Sequence, residues 1–234
     1  MIQIRDLSIQ FGDTQVLQSI NLDIEKGKTQ VLLGSSGSGK STLIRALMGL
    51  VEFQKGDISL WGNEVIEKSG YVIQEGGLFP HMNIRQNLII RAQHRGWSED
   101  RINKKLKELL ALVNLDDNVL DRFPSEVSGG QRQRLSLVRA LFCEPEILLM
   151  DEPLGALDPI TRYDLQFDLK RLFKELRKTV LLVTHDLSEA FYLGDSIALL
   201  NQGRIEQVGG PKEFLDSPAT EYVKKFVGSQ RWSE

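Results

Sequence analysis

Apolar residues recur at alternate positions through the early part of the chain: Ile2, Ile4, Leu7 and Ile9, then Ile20, Leu22 and Ile24, and later Ile58 and Leu60, each interleaved with polar residues. Alternation of period two predicts half-buried strands, here antiparallel. Three other runs do not alternate: "TQVLLG" at 29–34, "ILLMDE" at 147–152 and "TVLLVTH" at 179–185. Continuous apolar runs of this length predict strands covered on both faces of a parallel sheet. Between them the spacing becomes helical. "SEDRINKKLKELLALV" puts Ile102, Leu106, Leu109, Leu110 and Val113 on one stripe, with Ser98 as N-cap and acidic residues in the first turn. "DLQFDLKRLFKEL" repeats the pattern with Leu165, Leu169, Leu172 and Leu176. "DSIALLNQGRIEQVGG" reads as a hairpin turning near Asn201 to Gly203, followed by a short amphipathic helix. With no internal repeat, low-complexity tract or long linker, one domain with subdomains is the simplest division.

The 234 residues, 41% of them hydrophobic, supply a sizeable core. A net charge of -3 gives no global positive field that would mark nucleic acid or anionic lipid as the main partner. Cys143 is the only cysteine, which excludes an intrachain disulfide and a metal site of several thiolates. Its helical spacing from other apolar residues in "VRALFCEP" predicts a buried, inert thiol. Arg5 and Asp6 interrupt the opening stretch where an export signal needs an apolar core, so a cytoplasmic location is expected. Runs such as "ILLM" and "VLLV" fall far short of the roughly 20 apolar residues that cross a bilayer. Any membrane part must come from another chain.

Each of the three buried strands ends in chemically capable residues: a Gly-rich loop, Asp151 with Glu152, and His185. Ligands of open α/β sheets bind beyond the carboxyl ends of the strands, so these groups are expected to converge. The loop itself, "GSSGSGKST", runs through Gly34, Ser35, Ser36, Gly37, Ser38, Gly39, Lys40, Ser41 and Thr42 and matches G-x-x-x-x-G-K-[ST] between a predicted strand and a predicted helix. Glycines at 34, 37 and 39 let the backbone N–H groups turn inward, and the following helix adds its positive end, which makes a cradle for polyphosphate. Lys40 is placed to neutralise the β and γ phosphates, and the Ser41 hydroxyl to complete a Mg²⁺ shell. Asp151, emerging from an apolar strand, can hold Mg²⁺ directly or through water, and Glu152 can orient or deprotonate the attacking water. His185 is placed to touch the γ phosphate.

"VSGGQRQR" contains residues that phosphate-loop physics alone does not demand. With it, the chain resembles, over essentially its whole length, the nucleotide-binding subunits of ATP-binding cassette (ABC) transporters. Gly34 to Thr42 is similar to the Walker A loop, Gln74 to the Q-loop glutamine, and Ser128, Gly129, Gly130 and Gln131 to the signature. Asp151 and Glu152 resemble the Walker B pair, Gly155 to Asp158 the D-loop, and His185 the switch histidine. Phe11 stands where an aromatic stacks on adenine, with Val16 beside it. The resemblance implies an α/β fold: a P-loop NTPase core with a mainly parallel sheet (about 1–95 and 146–234), an N-terminal antiparallel β-subdomain and a helical signature subdomain (about 96–145). It implies ATP as substrate, Mg²⁺ held with Ser41, Gln74 and Asp151, and a head-to-tail pair of such chains. In that pair each ATP lies between one chain's Walker A loop and the other's Ser128 to Gln131 and Asp158. Ser128 itself reads as an N-cap, and two glycines after it allow close backbone approach to phosphate. The signature departs from the family pattern only in Val127, where Leu is usual.

The phrases "GYVIQEGGLFPHMNI" and "ALDPITRYDLQFDL" resemble ATPases of quaternary-amine osmoprotectant importers, for glycine betaine, choline or carnitine. The resemblance implies that Leu78, Phe79 and Pro80 form an apolar surface segment that receives a membrane subunit. The expected partners are a second copy or a paralogous ATPase subunit, an integral-membrane permease and, indirectly, a solute-binding protein, with no nucleic acid. The resemblance implies work at the cytoplasmic face of the membrane, through the permease. Trp61, Trp97 and Trp232 are expected to pack rather than to cage a quaternary ammonium. Alternatives are an importer for an amino acid, inorganic anion or metal, and a soluble non-transport ABC ATPase. A small-molecule kinase would share the loop without needing the signature.

Overall fold

A computed structural model describes residues 2–59, 68–74, 77–155 and 157–231; Leu60, Trp61, Trp232 and the D-loop's Ala156 lie outside the described residues. The chain divides into two compact units, Met1–Glu67 with Arg177–Glu234, and Lys68–Leu176.

In the first unit, β1 (Ile2–Phe11) lies antiparallel between β2 (Thr14–Ile24) and β4 (Lys55–Ser59), with Ile4 opposite both Leu22 and Ile58. Ile2, Ile4, Leu7 and Ile9 are all buried. Strict alternation cannot bury both Ile4 and Leu7, which are an odd number of residues apart. The register shifts between them, and Asp6 adopts a φ of 48°, so an irregularity returns Leu7 to the core face.

A second sheet of this unit has the order β7, β3, β8, β9. Here β3 (Thr29–Leu33) runs parallel to β7 (Thr179–Thr184) and to β8 (Ser196–Asn201), which forms an antiparallel hairpin with β9 (Arg204–Gly209). Every residue of β3 and β7 is buried, as their unbroken apolar runs require. Leu33 pairs with Thr184, so Gly34 and His185 leave adjacent strands at the same edge. Helix α1 (Lys40–Leu47) follows β3; α6 (Leu187–Leu193) follows β7. Two helices rather than one follow the hairpin, α7 (Pro211–Asp216) and α8 (Glu221–Arg231).

In the second unit, β5 (Ser69–Val72) runs parallel to β6 (Ile147–Asp151). Helices α2 (Ile84–His94), α3 (Glu99–Leu112), α4 (Gly129–Leu141) and α5 (Pro159–Leu176) complete it. Ser98 caps α3 by accepting from the Arg101 N–H, and the predicted stripe Ile102, Leu106, Leu109, Leu110 and Val113 is buried. On α5 the buried face is Leu165, Leu169, Leu172 and Phe173, while Leu176, in the last turn, is only half-buried. Arg134 and Asp168 join α4 to α5 at 2.9 Å. Trp97 stacks against Phe142 at 6.1 Å, with the Arg101 guanidinium 3.4 Å over its ring. Burial raises the Cys143 thiol pKa above its ordinary value. Among the described residues, no helix is long and apolar enough to cross a membrane.

Candidate functional site

The loop from Gly34 to Thr42 is held by backbone approaches that only glycine permits. A Cβ on Gly34 would collide with the Leu200 carbonyl, and one on Gly39, at φ +107°, would meet Leu17 Cδ2 at 2.6 Å and the Val16 carbonyl oxygen at 3.0 Å. The Gly203 N–H at the hairpin turn donates to the Ser38 carbonyl at 3.1 Å. The loop is therefore clamped between β2 and the β8–β9 hairpin. Val16, half-buried on β2, stands at this clamp, whereas Phe11 ends β1 about half exposed.

Inside the loop, the buried Lys40 Nζ donates to the carbonyls of Gly34 and Ser35, each at 2.9 Å. Burying an ammonium is costly unless partners or an anion offset it. Helix α1 begins here with no side-chain cap and no acidic residue in its first turn, while α2, α3, α4 and α6 are capped by Asn83, Ser98, Ser128 and Asp186. A buried cation, inward-turned backbone and an uncapped helix start together favour an anion. The Ser38 Oγ is buried with no hydrogen-bond partner among the described residues, a further group that a phosphate oxygen would satisfy. Ser41 and Thr42 are half-buried in the first turn of α1, and Ser35, Ser36 and Gly37 are exposed.

His185 is exposed beyond β7, at the edge where the loop begins. Its turn is fixed by neighbours: the Thr184 hydroxyl donates to Glu189 at 2.6 Å and accepts from the Asp186 N–H at 3.0 Å.

In the second unit, β5 and β6 pair Val72 with Met150, so Gln74 and Glu152 leave adjacent strands together. The Gln74 Nε2 donates to Glu152 Oε2 at 3.3 Å, across 78 positions of sequence. Asp151 is buried at the end of β6, and Glu152 holds a φ of 45°, the left-handed region disfavoured for a side-chain-bearing residue. The backbone thus turns sharply after Asp151 and aims Glu152 at Gln74.

Ser128 and Gly129 are exposed at the start of α4. Ser128 accepts from the Gln131 N–H, and the Gln131 side chain accepts from the Ser128 N–H, a reciprocal capping box. A Cβ on Gly130 would meet Thr161 Cγ2 at 2.5 Å, and one on Gly129 would meet Leu157 at 3.7 Å. The signature helix and the D-loop therefore form one surface, with Asp158 capping α5. Donation by the Thr161 hydroxyl and amide holds the Asp158 carboxyl below its ordinary pKa.

Other organising residues were not picked out by sequence reasoning. Asn87, fully buried on α2, accepts from the Phe79 N–H at 2.6 Å and donates to the carbonyls of Phe79, Met82 and Asn83. It shapes the turn that leaves Phe79 exposed. The available signal was a lone amide on the apolar face of "NIRQNLII".

The sequence model described as "ABC transporter" matches residues 17–155. The glycine betaine/carnitine/choline transport ATP-binding protein OpuCA of Bacillus subtilis is 45% identical over 228 residues, covering 94% of this chain. The chain spans 60% of the length of that relative. The glycine betaine uptake system ATP-binding protein YehX of Escherichia coli is 42% identical, covering 97% of this chain and 77% of its own. A sulfate/thiosulfate import ATP-binding protein CysA of Synechococcus elongatus is also 42% identical, over 97% of this chain and 67% of its own. Among solved structures, the dimeric MJ0796 ABC transporter cassette superposes with a TM-score of 0.79 at 30% identity, covering 90% of this chain and 99% of that one. The fold is that of an ABC ATPase cassette, and the chain belongs to the ABC transporter family.

Proposed function

We propose that this chain is the ATP-hydrolysing subunit of an importer that takes up a quaternary-amine osmoprotectant such as glycine betaine through a separate membrane permease. The observation that carries the hydrolytic part is the anion cradle: Lys40 buried beneath Gly34 and Ser35 at an uncapped helix start. The cradle binds the phosphates; Lys40 neutralises the β and γ groups, and Phe11 and Val16 flank the adenine. Ser41, Gln74 and Asp151 supply hydroxyl, amide and carboxylate oxygens, a donor set that suits Mg²⁺. Bound there, Mg²⁺ would neutralise charge on the β and γ phosphate oxygens. Glu152, steadied by Gln74, orients and deprotonates water. His185 contacts the γ phosphate as it leaves.

The chain is taken to act as a pair, with a second copy or a paralogue. Each ATP then meets Lys40 of one chain and Ser128, Gly129, Gly130, Gln131 and Asp158 of the other. The exposure of Ser128 and Gly129 supports this. Work at the cytoplasmic membrane face follows from docking on a permease, for which exposed Phe79 offers an apolar contact. The substrate class rests on the OpuCA and YehX likeness. Import of an inorganic oxyanion is the second reading, favoured by the CysA likeness. Deleting the subunit from a strain without other betaine importers should abolish labelled betaine uptake in high salt. Normal betaine uptake with lost sulfate uptake would select the second reading.

A further inference from the structure

Helix α8 touches the site at both ends. Near its C-terminus, the Gln230 Nε2 donates to the His185 carbonyl at 3.0 Å, and its Oε1 accepts from the Leu187 N–H at 2.7 Å. A primary amide carries a donor and an acceptor side by side, so one side chain closes the 185–187 turn from both flanks. Eight residues earlier, about 12 Å back along the helix axis, the Tyr222 hydroxyl lies 3.4 Å from the Ser35 Oγ of the phosphate loop. Between these ends Val223, Phe226 and Val227 are buried and fix the helix to the unit.

The turn bearing His185 has further supports among the described residues, including the Asp186 N–H donating to the Thr184 hydroxyl at 3.0 Å. Thr184 and Glu189 tie strand to helix, and Asp186 accepts from the Ser188 and Glu189 N–H groups as the cap of α6. These bond the residues flanking His185. Gln230 holds the main chain of His185 itself, and that segment sets where the exposed imidazole points. We infer that Gln230 is a positioning residue for His185, and that α8 is a strut keeping the switch turn and the phosphate loop in fixed relation. The role assigned to Gln230 rests on the one proposed for His185.

Steady-state ATP hydrolysis by the full chain with Mg²⁺ tests it. Gln230→Ala is expected to lower kcat by up to about 10²-fold, the scale of a roughly 1 Å misplacement of a reacting group. KM for ATP and nucleotide affinity should stay within about twofold, since phosphate binding is unaltered. Gln230→Glu keeps the acceptor for Leu187 but sets an oxygen against the His185 carbonyl, and is expected to be at least as slow. It carries the test if the alanine variant folds poorly. In a His185→Ala background, neither change should cause a further loss. Unchanged kcat in both Gln230 variants while His185→Ala is slow overturns the assignment, as does an equal loss in both backgrounds or a loss confined to KM. Normal turnover in His185→Ala alone overturns the role of His185, and that of Gln230 with it.

Discussion

Gly39 and Gly37 both occupy the left-handed region, at φ +107° and +78°, but a methyl group would find different surroundings at each. At Gly37 nothing lies within 4 Å, whereas at Gly39 the added carbon would sit 2.6 Å from Leu17 Cδ2 and 3.0 Å from the Val16 carbonyl oxygen. Leu17 is fully buried and has little room to retreat. Gly37→Ala should therefore carry the conformational penalty alone, about 1–2 kcal/mol for an L residue held left-handed. Gly39→Ala adds overpacking against β2, a further ~1–3 kcal/mol. The cost falls on folding stability where the loop keeps its shape and on ATP affinity where it relaxes, so the sum of the two losses is the quantity to compare. Urea unfolding measures the first and ATP titration the second. Gly39→Ala should exceed Gly37→Ala by ~1–3 kcal/mol, about 5- to 150-fold if expressed wholly as affinity. Equal summed losses, or wild-type behaviour of Gly39→Ala, would refute the clamp.

Lys40→Ala should abolish productive ATP binding while leaving the unit folded, because the glycine backbone remains; wild-type affinity in an equilibrium titration would remove Lys40 from the site. On the opposite edge of the first unit, Asp23 pairs with Arg5 at 2.7 Å, and that hydrogen bond holds its carboxyl below the ordinary pKa. The unfolded chain then takes up the proton first, so the pair's contribution is whole above about pH 3.9 and is lost as pH falls through the lower folded value. The gap in urea midpoint between wild type and Asp23→Asn should hold above about pH 3.9 and close only as the pH falls below it, through the lowered folded value; a gap that widens in acid would reverse the sign.

Much of this was legible in sequence because burial writes periodicity directly. The unbroken runs of β3, β6 and β7 and the alternation of β1 each appear where their apolar patterns stand. The phosphate loop was legible for a different reason: its backbone needs glycine at fixed spacing. What pattern could not carry were contacts between distant polar residues. Gln74 and Glu152 meet because β5 and β6 pair in one register, which no local spacing encodes. Gln230 and Tyr222 look like ordinary polar positions of an amphipathic helix until α8 is seen against the loops it tethers. Phe173, one residue beyond Leu172, joins the buried face of α5 while Leu176 is half-buried, because the apolar spacing alone does not say how far round the helix the core reaches.

The central claim is that ATP joins two chains and that Glu152 ends the union by activating water. Replacing that carboxylate with an amide removes the base, a step worth about 10²- to 10⁴-fold in rate, while keeping its size. Size-exclusion chromatography of Glu152→Gln should show a dimer with ATP and a monomer with ADP. Adding Ser128→Arg should restore the monomer with ATP while leaving ATP binding through Lys40 intact. A double variant that dimerises with ATP as strongly as Glu152→Gln alone would contradict the account.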